Sequence, residues 1–288
     1  MKFFKRKKTP DSGINKSLEV STVKKGKRRI PFTIDKRQKF VLGTVVLSIG
    51  LFLAEFQFEK AGIVVAIFLG ILANLILYWA IKEDLEDNFS IELFILPFFY
   101  TVAFTLFYFL LPTRILIRLL LTSLYAFGMY SLFLSQNIFT VGAIRTIALL
   151  SGARIVSFVL TLLSYFFLSN TLFSLHLWIF LTIPLLAIIT YPLVYQALWT
   201  YDLQKNVSSL KQWAAILSLC IIEVAIGVWF WPSSATVIAL FLAGFLYTLV
   251  GLSHVWFEKK LFRSVMWEYV WVGVIVVFVL MLFTPWGK

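Results

Sequence analysis

A stripe of polar side chains interrupts the hydrophobic stretch at the middle of the chain, residues 147–169. Its members, Arg154, Ser157, Thr161 and Ser164, follow one another at steps of three or four residues, the spacing of neighbours on one side of a helix. A helix in lipid turns such a stripe toward protein or a wet cavity. The spacing therefore predicts an intramembrane polar seam, although each hydroxyl could also bond to the preceding turn of its own helix.

A carboxylate, Glu223, lies well inside the seventh hydrophobic stretch. A charge near the bilayer midplane costs about 3 kcal/mol on insertion scales, so it is normally paired, protonated or functional. The predicted depths of Glu223 and Arg154 differ by only about 5 Å, which makes an ion pair geometrically possible. Three interpretations remain open: a buried pair or seam that orients helices, a site that handles a proton or substrate, and an Arg154 that snorkels while Glu223 stays protonated.

The second hydrophobic stretch carries Ala66, Gly70 and Asn74 at steps of four. Small residues at this spacing are typical of close helix packing, and an asparagine can hydrogen-bond across the contact. A substrate role for Asn74 is the alternative. The acidic residues that follow could hold Mg²⁺ and a diphosphate, or form a solvated loop: Glu83, Asp84, Glu86 and Asp87.

The sequence has nine hydrophobic stretches with an asparagine, Asn74, in the second, and in this it resembles intramembrane prenyltransferases of the UbiA type. Those enzymes place Asn-rich and Asp-rich motifs at the cytosolic ends of spans two and six. The resemblance implies metal-dependent transfer of a prenyl group. This sequence departs from the family pattern, since Tyr78 and Lys82 stand where that family has aspartates. The end of span six offers only Asp202. Ligands for a second metal ion are therefore missing, and neither a metal nor another cofactor is predicted.

His176 and His254 fall at opposite ends of their stretches, which excludes a shared metal site in the predicted topology. Cys220 is the only cysteine, so neither a disulfide within the chain nor a multi-cysteine metal site can form.

The elements that must position these residues are membrane spans. Of the 288 residues, 60% are hydrophobic and only 14% are charged, a composition typical of an integral membrane protein. A continuously apolar segment of about 20 residues can cross the bilayer as a helix. The fold class is therefore an all-α polytopic bundle of about nine transmembrane helices, with spans near 38–56, 61–81, 91–111, 115–135, 147–169, 173–198, 213–231, 235–256 and 267–285. Residues 136–150 could be interfacial, re-entrant or part of span five.

Basic residues fix the predicted orientation. Fourteen of the 26 Lys and Arg residues lie before position 40. Because positive charge is retained in the cytosol, the count predicts a cytosolic N-terminus and an external C-terminus. Residues 1–37 are predicted to be a disordered basic tail that contacts anionic lipid headgroups, and residues 38–288 to be the transmembrane domain. The tail lacks interleaved aromatic residues, so nucleic-acid binding is not favoured. Short connections and the absence of targeting signals predict a plasma (cytoplasmic) membrane.

The leading functional hypothesis is a small transporter- or flippase-like protein. Its path would use Arg154, Ser157, Thr161, Ser164, Glu223 and Asn74. The sixth span, which contains Pro184 and Pro192, would be kinked and line this path. The second hypothesis is a structural or assembly protein in which the seam is helix packing and the tail contacts lipid or a partner. The third is a lipid-modifying enzyme, which would need Mg²⁺. The oligomeric state stays open.

Overall fold

Membrane-length helices form all the regular structure that the computed structural model describes, which covers residues 35–57, 61–85, 90–111, 115–142, 149–201, 207–257 and 263–284. These ranges contain nine helices, all long and apolar enough to cross a membrane. The helices are α1 (Lys36–Gln57), α2 (Gly62–Leu85), α3 (Glu92–Leu110), α4 (Ile115–Gly142), α5 (Leu150–Ser174), α6 (Ile179–Trp199), α7 (Val207–Trp229), α8 (Ala235–Phe257) and α9 (Arg263–Leu282). The predicted polytopic helical bundle is confirmed. Residues 1–34 of the predicted tail (1–37) lie outside the described residues, and Lys36 and Arg37 already belong to α1.

The fourth helix differs most from its prediction. It continues through residues 136–142, so this part of the segment is neither interfacial, nor re-entrant, nor the start of span five. Ser135 and Thr140 donate to carbonyls four residues earlier, at 2.8 and 3.0 Å, and Gln136 is fully buried. Polar side chains that bond to their own helix or face protein do not end a membrane helix. Residues 143–148 lie outside the described residues.

Contacts between helix ends show that the helices alternate in direction. Glu92, at the start of α3, accepts a hydrogen bond from Tyr195 near the end of α6. Asn170, near the end of α5, accepts one from Thr236 at the start of α8. We call the end at which the odd-numbered helices begin the Arg154 end, and the opposite one the Asn170 end. Described Lys and Arg side chains lie mainly at the Arg154 end: Lys36, Arg37, Lys39, Lys82, Arg154, Lys211 and Arg263, against Arg118 at the Asn170 end.

Helix α5 is at the centre of the bundle and α9 is at its edge. Of the apolar window of each helix, 61% is buried for α5 and 6% for α9. Within the described residues, α5 contacts α3, α4, α6 and α8, whereas α9 contacts α8 alone. The α8–α9 contact is close at Gly244, where an added Cβ would come within 2.5 Å of a Val276 methyl group.

A short connection sets the antiparallel register of α5 and α6. Only residues 175–178 separate the two helices. His176 has a φ of 46°, the left-handed conformation that commonly closes a helix. Its N–H donates to the Phe173 carbonyl oxygen at 3.2 Å, and its ring Nδ1 lies 2.8 Å from the Ser174 carbonyl oxygen. The turn therefore brings the polar stripe of α5 alongside the second half of α6.

Candidate functional site

The polar stripe of α5 faces the interior of the bundle. Ser157 is 1% exposed, and both Thr161 and Ser164 are 0% exposed, so lipid reaches none of them. Thr161 donates to the Ser157 carbonyl oxygen at 2.9 Å, and Ser164 donates to the Leu160 carbonyl oxygen at 2.7 Å. Because these hydroxyl protons are held within α5, the oxygens remain free to accept hydrogen bonds from a neighbouring helix.

Gln196 of α6 bridges two members of the stripe. This side chain is fully buried. Its Nε2 donates to Ser157 Oγ at 3.3 Å, and its Oε1 lies 3.5 Å from Thr161 Oγ1. Both distances are long for hydrogen bonds, so each contact is weak. Gln196 therefore links α5 to α6 without holding them tightly.

The same interface continues toward the Asn170 end. Tyr165 and Thr190 are fully buried, and their side-chain oxygens are 3.3 Å apart. Thr190 also donates to the Leu186 carbonyl oxygen at 2.7 Å. We call this set of residues the α5–α6 seam: Arg154, Ser157, Thr161, Ser164 and Tyr165 on α5, with Thr190 and Gln196 on α6 and Thr200 just after its end. Its groups can donate and accept hydrogen bonds, but its described members include no carboxylate that could relay a proton.

Arg154 closes the seam at its own end by capping α6. Its Nε donates to the Thr200 carbonyl oxygen at 2.9 Å and its Nη2 to the Tyr201 carbonyl oxygen at 3.4 Å. The last carbonyls of a helix lack partners within it and carry partial negative charge, so a guanidinium is well suited to bind them. The guanidinium also lies 4.8 Å from the centre of the Tyr201 ring. Arg154 therefore fixes the end of α6 against the start of α5.

His254 of α8 extends this cluster. The side chain is 4% exposed and its ring stacks on Tyr201 with ring centres 3.8 Å apart. Phe158 meets the imidazole edge-on at 5.2 Å. His254 Nε2 has no hydrogen-bond partner among the described residues. The stack joins the ends of α6 and α8 to the first turns of α5.

Gln136 is a second buried amide at the Arg154 end. It is 0% exposed, and neither Oε1 nor Nε2 has a hydrogen-bond partner within the part of the chain that the structure describes. Burying an amide without partners costs about 1–3 kcal/mol by mutational measures. Gln136 is therefore an available hydrogen-bonding group in the core.

Two residues of the predicted path lie elsewhere. Glu223 is exposed on α7, and α7 contacts α6 and α8 but not α5 within the described ranges, so the structure does not bring Glu223 to Arg154. Asn74 lies on α2, which contacts α1, α3 and α4 but not α5 or α6 in the same ranges. Near it, an added Cβ at Gly70 would come within 2.8 Å of the Phe98 ring, which fits the packing interpretation of that stripe. Of the predicted path residues, the structure therefore brings together only those on α5.

The residues that a metal-dependent enzyme would need are not assembled in the described ranges. No three His, Cys, Asp or Glu side chains there could hold a metal ion together. Glu86, Asp87 and Asp202 lie outside the described residues. The enzyme hypothesis rests on them and stays a prediction.

A cavity of about 220 Å³ opens at the Asn170 end. Its walls come from the end of α5, the end of α7 and the start of α8: Phe173, His176, Trp229, Trp231, Ser233, Ala235 and Ile238. Trp231 Nε1 donates to Thr284 Oγ1 at 2.7 Å, which fixes one wall to the end of α9. Helix α5 therefore carries the seam toward one end of the bundle and part of a cavity wall at the other.

Sequence reasoning missed Gln196, Gln136 and Tyr165. Each was a visible signal, because an amide or phenol within an apolar span needs a partner just as a charge does. The predicted path included charged residues, Asn74, and Ser and Thr hydroxyls, but not these three side chains.

A family model described as "Protein of unknown function (DUF5656)" matches residues 43–283. The match begins within α1 and ends just after α9, so it covers the helical bundle and leaves out the basic tail. No curated protein and no solved structure matches the chain.

Proposed function

The chain belongs to the DUF5656 family, whose description names no activity, and we propose from the site that it is a flippase-like carrier. In this proposal, a polar group passes along the α5–α6 seam while any apolar tail stays in the lipid. The observation that carries the proposal is the continuity of the seam. Arg154 and Tyr165 are eleven residues apart, about 16 Å along the helix, and buried hydrogen-bonding groups occur at each turn between them.

The energetics of the seam favour opening. Polar contacts between membrane helices are worth about 0.6 kcal/mol on average, and the contacts of Gln196 are long. If α6 moves away, Thr161 and Ser164 keep the bonds to their own helix. Parting the helices between Ser157 and Tyr165 therefore exposes hydroxyl groups without breaking strong bonds, while Arg154 keeps its hydrogen bonds to the end of α6.

Access and charge indicate the substrate class. Arg154 is itself only partly buried, and Ile155, the next residue of α5, is 63% exposed on the neighbouring side of the helix. Arginine binds phosphate and carboxylate groups well, while hydroxyls and amides suit an uncharged polar group. The seam therefore fits an amphipathic lipid whose headgroup carries an anionic group and hydroxyls.

Thiol accessibility tests whether the seam opens. In a Cys220→Ser background, Ser164→Cys places a thiol in the seam, and Ser218→Cys places a similarly buried thiol on α7, which does not contact α5 in the described ranges. A membrane-impermeant thiol reagent should label Ser164→Cys at least roughly tenfold faster, since only a hydrated thiol ionises and reacts. Equal, negligible labelling of both variants would show a seam that stays closed and would refute the carrier.

A second candidate is an assembly protein whose seam only joins helices. The observation that favours it is the capping of α6 by Arg154, since that guanidinium is engaged by the Thr200 and Tyr201 carbonyls. In this case the unmodified protein should move lipid across reconstituted vesicles no faster than protein-free vesicles do. Gln196→Leu should give the same result. A carrier would instead move lipid, and Gln196→Leu would change its rate.

The orientation and the tail contacts belong to the same proposal. Supporting it, the described basic side chains gather at the Arg154 end, and eleven further Lys and Arg residues precede residue 35 in the sequence. The Arg154 end then faces the cytosol of a plasma membrane, with the tail on anionic headgroups. A reporter fused to the C-terminus should be active only outside the cell.

A further inference from the structure

Glu223 lies at the centre of the exposed side of α7. At helical spacing, the exposed residues Ile216, Leu219, Gly227 and Phe230 surround it within about 40° on either side. The buried residues Ile221 and Ala225 lie on the opposite side of the helix. We call the exposed set the outer face of α7: Ala215, Ile216, Leu219, Glu223, Ile226, Gly227 and Phe230. The Glu223 carboxyl group therefore points away from the bundle.

This carboxyl group lies within the apolar span. Glu223 lies six positions before Trp229, the last residue of α7, which places it about 9 Å inside that end. A carboxylate facing hydrocarbon is costly and a protonated one lacks a partner, so the position calls for a polar group at the same depth. Within this chain α7 contacts only α6 and α8 in the described ranges, and both lie on its other side.

We propose that the outer face of α7 is the contact between two copies of this chain, in which the two Glu223 carboxyl groups share a proton. A two-fold axis along the membrane normal places identical residues of both copies at one depth, so each Glu223 meets its equivalent. Two adjacent carboxyls cannot both ionise, and one retained proton makes a strong hydrogen bond between them.

The neighbouring small residues allow close approach. Ala215 and Gly227 are exposed two turns and one turn from Glu223, and nothing lies within 4 Å of a Cβ added at Gly227. Small residues at such spacing let membrane helices approach until polar side chains can meet. The other highly exposed helix, α9, presents Val274, Ile275 and Phe278 near its middle, and its exposed acid, Glu268, lies nearer its start at the Arg154 end.

Cysteine cross-linking in native membranes tests the proposal. In full-length chain with Cys220→Ser, Ile216→Cys puts a thiol on the outer face of α7, and Ile275→Cys puts a matched thiol on α9, since the two isoleucines are 54% and 55% exposed. Oxidation should cross-link Ile216→Cys to a second, differently tagged copy at least roughly fivefold more than Ile275→Cys, as expected for a polar helix contact.

Further substitutions in the Ile216→Cys protein test whether the cross-link depends on Glu223 and on the small residue Gly227. Glu223→Gln should keep the cross-link, because two glutamine amides can hydrogen-bond to each other at the same position, whereas Glu223→Leu and Gly227→Leu should reduce it at least roughly fivefold. Gly152→Leu is the matched control, since Gly152 also has nothing within 4 Å of an added Cβ. Equal cross-linking at both thiols, a product containing another protein, or no effect of Glu223→Leu or Gly227→Leu would each overturn the proposal. Gly227→Leu should not disturb the fold of the monomer, because the new side chain enters open space. The test therefore still works if Glu223→Leu does not fold.

Discussion

Replacing Arg154 and Glu223 singly and together by glutamine tests whether they act independently. Arg154→Gln removes a charged hydrogen bond of 2.9 Å to the Thr200 carbonyl oxygen, a weaker one of 3.4 Å, and the contact with the Tyr201 ring. A hydrogen bond to a charged group contributes about 1.5–3 kcal/mol, and the ring contact about 0.5–1 kcal/mol at exposed sites. Glutamine can restore one neutral bond. We therefore expect the free energy of unfolding to fall by about 2 kcal/mol.

Glu223→Gln should change the unfolding free energy of the monomer by less than about 0.5 kcal/mol, because the side chain faces away from the bundle. Since α5 and α7 make no contact in the described ranges, the double mutant should equal the sum of the singles within about 0.5 kcal/mol. The assay is reversible unfolding in detergent, at protein concentrations that keep the chain monomeric. A coupling energy above about 1 kcal/mol would mean that the two side chains interact, and would refute this assignment of Arg154 to α6.

The remaining predictions concern helix contacts. Gln196→Leu should lower the unfolding free energy by no more than about 1 kcal/mol, measured in the same way, because its polar contacts are long and leucine fills the space; a loss of several kcal/mol would show that the amide is essential to packing. Gly244→Ala should cost about 1–3 kcal/mol because the new methyl group meets Val276, and Val276→Ala should recover most of that loss. Failure of the second change to rescue the first would place the strain elsewhere.

The helices could be predicted well because each needs about 20 apolar residues, a requirement that sequence satisfies or fails plainly. Their ends were less predictable, and α4 shows why. Gln136 and Asn137 look like the boundary of a span. Gln136 is nevertheless buried, and helix α4 continues to Gly142. Polarity marks a helix end only where the surroundings are lipid, and sequence alone does not tell which surroundings a residue has.

The direction in which a side chain points was predictable for α5 and not for α7. On α5 the polar stripe contrasts with apolar residues around it, so the inward side is evident from spacing. On α7 both sides are apolar, with Ile216 and Leu219 exposed and Ile221 and Ala225 buried. Because lipid is as apolar as a protein core, hydrophobicity does not distinguish them. The depth of Glu223 could therefore be estimated, but not whether it faces Arg154 or lipid.

The length of α4 has a consequence for the membrane around the protein. Its 28 residues span about 42 Å, whereas its neighbour α3, with 19 residues, spans about 28 Å and matches a hydrocarbon core of about 30 Å. Tilting α4 enough to fit would exceed the usual range of about 0–40°. Helix α4 therefore extends beyond the hydrocarbon, so a thicker bilayer can be accommodated along α4 but would be thinned locally beside α3. The protein should accordingly prefer membranes whose thickness suits α3.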